Sequence, residues 1–587
     1  MNQSLSRDPG SSPWPGTSGM ILLPSVVVLL AGCSTAFYKG RADKDVYAVI
    51  EKVEKDIFGQ SKLVSVDTPY SARPVREITP QEIIADRNAE GRLRLSIEEM
   101  LDLAVNTSRA YQSERENLYL TALSLTGVRH DFRPGLTGIS RATGTRQSDS
   151  EELGSVTSTL ALGQALKSGA SLGISIANDL LKFYTGDARR SAISTINVNL
   201  LQPLLRGAGR KIAAEQLTQA SRDVAYGVRE FSHFQNTFAA GLVVDYFRLL
   251  QQKESIFNEY SNYQALVRST AYLRAREDRE RPLDVSQAEQ AELAAKNRYI
   301  NSIVSFRNNL DRFKIDLGLP QSTDLRLVSG ELVSLVDKGL VSLRLDGAQA
   351  FRLALAHRLP LLNEIDRFED QQRKVRVAAN RLKADLNIFA NASATSDQPT
   401  NYEDFDFDEV RADFGVQLNL PLDRLRERND YRATLIAFEA QLRSLSRTTD
   451  DLKLAIDQGL RELEQFRQSY EIQKNSVLLA QRRVTGARLN LEAGTAIFRD
   501  LEEAQDALID AQNAVTAALV DYLEARLNLL VDLGIFNLEE KQFWLKEKAS
   551  KVDLNHPSPN NTGDGADAIS LEEQTVVTPQ ELFPDDE

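Results

Sequence analysis

An internal repeat constrains the fold of this chain more than any other feature of its sequence. Residues 283–319 align without a gap on residues 499–535, at an offset of 216 residues, and both stretches close with Asp-Leu-Gly, at Asp316 and Asp532. Several alanines of the first stretch also match alanines of the second. A repeat of this length indicates that one structural unit occurs twice and packs against its copy. We therefore expect two similar halves.

The sequence patterns follow the same order in each half. A capping-box pattern opens a helix at Ser96, and its counterpart opens one at Asp346. Alternating apolar and polar residues, which are typical of half-exposed strands, come next. A proline then closes each region, at Pro203 and Pro421, because proline cannot continue a ladder of strand hydrogen bonds. The alternating segments are residues 156–162, 172–176 and 196–200 in the first half, and 386–388 and 414–420 in the second.

Long helices are expected after these prolines. No proline occurs between Pro203 and Pro282 or between Pro421 and Pro557, and apolar residues recur there every three or four positions, which predicts helices. About 65 helical residues would reach roughly 100 Å. Pro282 and Gly494 mark the places where one helix should end and its antiparallel partner begin. Each half should run helix, β-hairpin, long helix, tip and returning helix.

Composition limits how the chain can meet a membrane or a partner. Charged residues make up 26% and hydrophobic residues 42% of the sequence. Beyond the N-terminal segment, no stretch approaches the roughly 20 apolar residues of a membrane-spanning helix, so a crossing must use strands. The net charge is −13, and nine acidic residues but no basic ones follow Lys551. We expect a disordered tail from about residue 552 and no nucleic-acid partner.

The N-terminal segment resembles a bacterial lipoprotein signal. An apolar stretch of about a dozen residues follows Met20, as in a secretory signal, and ends in Leu-Ala-Gly at Cys33, the only cysteine of the chain. The pattern predicts a signal peptide over residues 1–32 and lipidation of Cys33, which becomes the first residue of the mature protein. Ser34, rather than an aspartate, favours sorting to the outer membrane. A buried cysteine in an uncleaved hydrophobic helix is the alternative.

Together these patterns resemble the TolC-like family of outer-membrane efflux proteins, over residues 95–537. The closest motifs are residues 202–207, which resemble the family's strand-to-helix passage, and the repeated tip pattern around Asp284 and Asp500. The resemblance implies a mainly α fold with a membrane β-barrel contribution. Three protomers would each give four strands to a 12-stranded barrel, which a tunnel of 12 helices continues across the periplasm.

The function implied by the resemblance is that of an outer-membrane channel protomer in a tripartite efflux or type I secretion system, which conducts solutes to the exterior. The implied partners are two further copies of the chain in a homotrimer, a periplasmic adaptor protein, an inner-membrane pump and outer-membrane lipid. No cofactor is expected. The protomer would be lipid-anchored at the periplasmic side of the outer membrane, with a periplasmic tunnel.

The repeat and the resemblance together divide the chain into six expected ranges. These are the signal peptide over 1–32, a periplasmic extension over 33–92, the first repeat over 93–320, a linker over 321–343, the second repeat over 344–537, and a C-terminal segment with the acidic tail over 538–587. The first half contains more alternating sequence between Phe132 and Leu200 than one hairpin needs. Either extra strands or a long extracellular loop is therefore expected there.

Two groups of residues are candidate functional sites. The strand-to-helix passage includes Pro203, Gly207 and Pro421. The tips are expected to dock the adaptor or to gate the channel through Leu283, Asp284, Val285, Gly494, Asp500 and Leu501. A simpler interpretation makes Asp284 and Asp500 the N-cap residues of the returning helices. The first tip lacks the glycine of the second, which puts a simple transfer of adaptor contacts in doubt.

Other chemistry finds little support in the sequence. His130, His233, His357 and His556 lack the spacing of metal ligands, so no metal site is expected. Neither a nucleophile elbow nor a phosphate-binding glycine loop precedes a helix, so an enzyme is not expected. The acid-rich residues 403–409 are typical of a solvated loop. The alternative function is a pore-less periplasmic coiled-coil lipoprotein that acts as a spacer or adaptor, but the strands before Pro203 and Pro421 argue against it.

Overall fold

The computed structural model describes residues 34–545, apart from 62–64, 147–151, 184–189, 277, 279–280, 344, 397–403, 406, 537 and 539–541. All described residues except 342 and 343 belong to one compact unit. The predictions made for the signal peptide, for Cys33 and for the acidic tail lie outside the described residues.

Helices make up most of the described chain. The α-helices are α1 Thr35–Phe58, α2 Pro80–Arg87, α3 Ile97–Thr107, α4 Arg109–His130, α5 Arg210–Ala213, α6 Glu215–Arg274, α7 Pro282–Asp316, α8 Gly330–Lys338, α9 Gly347–His357, α10 Leu359–Arg381, α11 Leu425–Glu492 and α12 Phe498–Asp532. The strands are β1 Arg92–Leu95, β2 Gly135–Arg146, β3 Glu152–Ala165, β4 Ser171–Phe183, β5 Arg190–Pro203, β6 Asp324–Leu327, β7 Asp385–Thr395 and β8 Arg411–Asn419.

The long helices form where the proline-free, periodic sequence predicted them. Helix α6 has 60 residues and α11 has 68, which correspond to lengths of about 90 and 102 Å. Each is followed by a returning helix of 35 residues, α7 or α12. The capping box at Ser96 is also confirmed, because Ser96 accepts a bond from the Glu99 backbone and the Glu99 side chain bonds back to Ser96.

Both returning helices end in the same glycine motif. Gly318 and Gly534 have φ values of +76° and +71°, in the left-handed region that favours glycine. The backbone N–H of Gly318 donates to the Ile315 carbonyl at 2.9 Å, and that of Gly534 donates to the Val531 carbonyl at 3.0 Å. Each motif packs against the break between two helices, α3 and α4 for Gly318, and α9 and α10 for Gly534.

Four helices lie side by side where the chain enters and leaves the six-stranded sheet. Helix α4 packs against α6, α6 against α10, and α10 against α11. Each of the four is joined to the sheet, since α4 leads into β2, β5 leads through α5 into α6, α10 leads into β7, and β8 leads into α11. The N-terminal helix α1 packs on α4 and α6 through a core that includes Val46, Ile50, Leu118 and Phe231.

A six-stranded antiparallel sheet follows in the order β2-β3-β4-β5-β7-β8. The structure therefore decides between the two alternatives for the first half in favour of extra strands, since that half supplies four strands and the second half two. The five alternating segments predicted from the sequence lie in strands, apart from Leu420, which is one residue beyond the end of β8. Strand β2 was not predicted, because its glycines, threonines and arginines hide the apolar alternation.

A second, two-stranded sheet connects the halves. Strands β1 and β6 pair in parallel, with Arg92 opposite Asp324. The buried hydroxyl of Tyr246 donates to the Leu95 carbonyl at 2.9 Å and accepts from the Val328 backbone N–H at 2.9 Å. The range 321–343, expected to be a linker, thus contains β6 and α8.

Candidate functional site

The six-stranded sheet has one continuous apolar face. The strand register places Leu160 beside Ile176, Ile176 beside Ile196, and Ile196 beside Ala394. Large side chains of this face are exposed, from Leu136 on one edge strand, which is 67% exposed, to Phe414 on the other, which is 89% exposed. The further exposed members are Val156, Leu162, Ile174, Leu180, Val198, Leu200, Ile388, Val416 and Leu418.

One row of polar side chains crosses this apolar face, and its members form hydrogen bonds with one another. The hydroxyls of Ser140 and Ser158 are 2.9 Å apart. The Ser194 hydroxyl donates to Asn178 Oδ1 at 2.6 Å, and the Ser194 backbone N–H donates to the Ser396 hydroxyl at 2.9 Å. Because paired polar groups cost much less to remove from water than unpaired ones, the row does not prevent the face from lying against lipid.

The opposite face of the sheet is mainly polar. In the register, Thr159 lies beside Ala177, Ser175 beside Asn197, and Asn391 beside Asp413. Two large side chains of this face lie flat over glycines. A Cβ atom at Gly173 would meet Asn199, and one at Gly415 would meet the ring of Phe389. Alternation of apolar and polar faces is the pattern of strands that separate lipid from water.

The strand-to-helix passage lies at the helix side of the sheet. Strand β5 ends at Pro203, as expected, and Gly207 follows with φ +77°. The Gly207 N–H donates to Asn380 Oδ1 at 2.8 Å, which ties the passage to α10. In the second half, β8 ends at Asn419, two residues before Pro421. Arg424 holds that passage by donating from Nε to the Pro421 carbonyl at 3.1 Å.

The first tip is the turn between α6 and α7. Leu283 is 65% exposed, whereas Asp284 and Val285 are each only 7% exposed. Asp284 is the third residue of α7 and accepts from Arg281 Nε at 3.0 Å. The N-cap position belongs to Arg281, so the N-cap interpretation of Asp284 is wrong, because Pro282 starts the helix two residues earlier.

The second tip is the turn between α11 and α12. Gly494 has φ +73°, and its N–H and that of Thr495 donate to the Leu491 and Asn490 carbonyls, so it closes α11 as a helix C-cap glycine. Asp500 is exposed and also occupies the third helical position, where its carboxylate accepts from the Ile497 N–H at 3.3 Å. The N-cap interpretation is therefore wrong here as well.

Buried side chains and one ion pair join the two tips. Phe498, at the start of α12, is fully buried in a cluster with Leu273, Val285 and other residues of the first tip. Leu501 is 2% exposed. Further along, Arg298 of α7 contacts Asp506 of α12 at 2.8 Å and Glu259 of α6 at 3.6 Å. Burial raises the pKa of Glu259, and the nearby Arg298 guanidinium opposes that shift.

The exposure of the six tip residues separates them into two groups. Asp284, Val285 and Leu501 are buried, and Val285 belongs to the cluster that joins the two tips, while Leu283, Gly494 and Asp500 face solvent. Only the second group is accessible to a partner in this form of the chain. The role of either group in docking or gating stays a prediction.

A buried polar network between α6 and α10 was not predicted from the sequence. Asp370, whose side chain is 3% exposed, accepts from Tyr226 at 2.7 Å, from Arg222 and Arg373 at 2.8 Å, and from Gln219 at 3.0 Å. Burial by itself would raise the pKa of Asp370, but the hydrogen bonds from Tyr226, Gln219 and Arg373 hold it below the usual range. Three of the four partners, Gln219, Arg222 and Tyr226, lie about 150 residues from Asp370 in the sequence, so no local pattern indicates them.

Neither a metal-binding cluster nor a membrane-spanning helix occurs in the described ranges. No group of three or more His, Cys, Asp or Glu side chains there is placed to hold a metal ion. No helix in those ranges is both long and apolar enough to cross a membrane.

Solved structures of outer-membrane channels share this architecture. VceC of Vibrio cholerae matches with 14% identity and a TM-score of 0.55, over 75% of this chain and 96% of that one. The CmeC channel of Campylobacter jejuni matches with 12% identity and a TM-score of 0.55, over 76% and 87%. The MtrE channel of Neisseria gonorrhoeae, solved in its open state, matches with 13% identity and a TM-score of 0.54, over 75% and 89%.

No protein-family model and no curated protein matches the sequence. At identities this low the likeness is one of fold. This chain has the fold of the TolC-like outer-membrane channels, in agreement with the resemblance seen in its sequence.

Proposed function

We propose that this chain is a protomer of a homotrimeric outer-membrane channel that serves a tripartite efflux or type I secretion system. The observation that carries the proposal is the two-faced sheet. Its exposed apolar face extends over all six strands and suits lipid, and its mainly polar face suits a water-filled lumen. The fold shared with outer-membrane channels such as MtrE supports a channel function.

Closure of the sheet requires other chains. Strands β2 and β8 are the two edges of the sheet, and each has one side without a strand partner among the residues that the structure describes. Unpaired backbone N–H and C=O groups in lipid cost several kcal/mol each, so an open edge is not stable there. Neighbouring copies, arranged symmetrically, would pair with both edges and close a barrel. The two halves, which we propose are an internal repeat, then supply pseudo-equivalent helices to the tunnel.

Lipid anchoring at Cys33 is supported by the direction of α1. The Tyr119 hydroxyl donates to Asp43 at 2.7 Å, whereas Glu54 and Phe58 line a cleft with Gln235, which bonds to Tyr111. Helix α1 therefore runs antiparallel to α4, and its Thr35 end points toward the sheet. Two exposed aromatic residues near that end, Phe37 and Tyr38, suit a membrane interface.

The helical tips are proposed to meet the adaptor protein and the inner-membrane pump. They lie at the ends of α6 and α11 that are farthest along the chain from the sheet. Leu283, Gly494 and Asp500 supply the exposed part of this surface. A pore-less spacer, the alternative function, has no need of a six-stranded sheet with an exposed apolar face, so we favour the channel.

The test is single-channel recording of the purified full-length protein in a planar bilayer, with the oligomer mass measured in the same detergent. Stepwise conductance from a trimer is expected. Substitution of Asp500 by alanine should change the open probability, whereas Asp451→Ala, an exposed position in the middle of α11, should not. A stable monomer or dimer without pores would favour the spacer and exclude the channel.

A further inference from the structure

We propose that three copies of this chain close an 18-stranded barrel, with six strands from each copy, instead of the 12 strands that the family resemblance implies. The inference rests on the proposed function and goes beyond it by assigning the barrel size and the strands at the subunit interface. It starts from the sheet order β2-β3-β4-β5-β7-β8, in which β3 and β4 lie between the strands that connect to helices.

The edge strands have the directions that closure requires. All neighbouring strands are antiparallel, and six is an even number, so β2 and β8 run in opposite directions. Strand β2 leaves the helices and β8 returns to them. When β8 of one copy lies beside β2 of the next, the pair is antiparallel like all the others, and the alternation continues around the ring without a break.

The inner hairpin β3-β4 is an integral part of the sheet. Its turn is tied to the strand-to-helix passage, since the Gly209 N–H donates to the Ser168 carbonyl at 2.9 Å. A Cβ atom at Gly169 would lie 2.5 Å from the Gly207 carbonyl oxygen, so turn and passage are in direct contact. Leu160 and Ile176 of this hairpin continue the apolar face of the other strands. An extramembrane loop would not need that face.

The consequence is a wider pore through the membrane. At a tilt of about 40°, 18 strands give a backbone diameter of about 36 Å, compared with about 24 Å for 12 strands. The narrowest part of the path would then lie in the helical tunnel or at its tips. Passage across the membrane itself would not limit the size of the solute.

Electron cryomicroscopy of the full-length trimer in lipid nanodiscs tests the inference by counting strands. Eighteen strands are expected. A trimeric barrel of 12 strands, with one hairpin of each chain outside the wall, would overturn the inference and leave the proposed channel intact. Particles without a trimer or without a barrel would overturn both.

Disulfide cross-linking in membranes gives a second readout of the interface strands. Val416→Cys on β8 would be combined with a cysteine on β2, at Leu136, Ser140 or Ala142, and separately with Ile174→Cys on β4 as the matched control. Cross-linked dimers and trimers are expected for at least one β2 partner and none for β4. The inference fails if β8 cross-links between chains to β4 and to no β2 position, because the β2-β3 hairpin would then lie outside the barrel.

Discussion

Asp370 shows how one residue holds two helices together. Its carboxylate is buried between α6 and α10 and accepts hydrogen bonds from Tyr226, Arg222, Arg373 and Gln219. A buried charge is tolerated only where such partners replace water. Because the partners come from both helices, the network sets how α6 lies against α10, close to the helix-to-strand junctions.

Replacement of Asp370 by alanine should lower the free energy of unfolding by about 3–5 kcal/mol, because Arg222 and Arg373 would be left without their buried carboxylate. Urea unfolding followed by circular dichroism measures this. Asp451→Ala, which removes an exposed carboxylate paired with Arg447, is the control and should change stability by less than about 1 kcal/mol. Equal effects of the two substitutions would contradict the assigned role.

The same network predicts a pH dependence. The pKa of Asp370 is below the usual aspartate value of 3.8, so the folded chain holds this proton less tightly than the unfolded one. The stabilisation from the charged form is fully present above pH of about 4 and is lost as the pH falls through the lower, folded-state pKa. Between pH 7 and pH 3, Asp370→Asn should therefore lose less stability than the unsubstituted chain. An identical loss in the two chains would exclude the network as a cause.

Gly318 and Gly534 are predicted to tolerate no side chain. Alanine at Gly318 would place Cβ 2.0 Å from the Thr107 carbonyl oxygen, and alanine at Gly534 would place it 2.5 Å from His357, in both cases at positive φ. We expect each substitution to cost about 1–3 kcal/mol or more of unfolding free energy. Gly486→Ala, in open space inside α11, should instead stabilise by about 0.5–1 kcal/mol. Thermal unfolding of the three variants compares them directly.

At the scale of elements, the sheet separates two environments by the alternation of its strands. Neighbouring residues of β3 face opposite sides, so Leu160 lies on the apolar face and Thr159 on the polar face. Shifting the register by one residue would exchange the two faces. The polar row of Ser140, Ser158, Asn178 and Ser194 departs from the pattern but is internally paired.

Leu160→Arg and Thr159→Arg form a matched pair that tests this orientation. On the lipid face, arginine should destabilise the assembled protein by about 2–4 kcal/mol, and less trimer should be recovered from membranes. On the lumen face, arginine should leave trimer yield unchanged and alter ion selectivity in planar bilayers. The assignment of faces is wrong if Thr159→Arg is the substitution that prevents assembly.

The two tips form one packed unit because α7 and α12 contact each other. Arg298 bridges Asp506 and Glu259, and we expect Arg298→Ala to loosen the tips and to increase the open probability of single channels. Arg447→Ala, at an exposed position of α11, is the control. A closed channel with unchanged open probability in Arg298→Ala would show that this ion pair does not restrain the tips.

At the scale of the whole molecule, the N-terminal helix α1 packs on α4 and α6 next to the sheet. Val46 is fully buried where α1 meets α4 and α6. Val46→Asp should detach α1, because an unpaired buried charge is not tolerated, and limited proteolysis should then cleave within residues 35–58. Val75→Asp, at an 86% exposed position, should leave that helix protected. If α1 is protected from proteolysis in both variants, the proposed role of Val46 in packing α1 on α4 and α6 is wrong.

The association of several chains also depends on features of the whole molecule. Among the described residues, β2 and β8 each have one side without a strand partner, so the proposed lumen would form only in an oligomer. In the proposed assembly, the barrel and the tip surfaces are formed by three chains together.

Local patterns in the sequence determined most of the elements. Helical periodicity without proline set α6 and α11, Pro203 ended a strand, Gly494 closed a helix, and alternation placed the five recognised strand segments. These outcomes depend on the backbone preferences and on the side chains of neighbouring residues, which a sequence displays directly.

The tertiary structure alone decided which segments meet. It paired β2 with β3, buried Asp284 and Leu501 in the tips while leaving Asp500 exposed, gathered four partners around Asp370, and laid α1 along α4. Most of these results join residues far apart in the chain. The reason is physical: distant segments are selected by the apolar area they bury and the hydrogen bonds they complete together, and neither quantity is present in any single stretch of sequence.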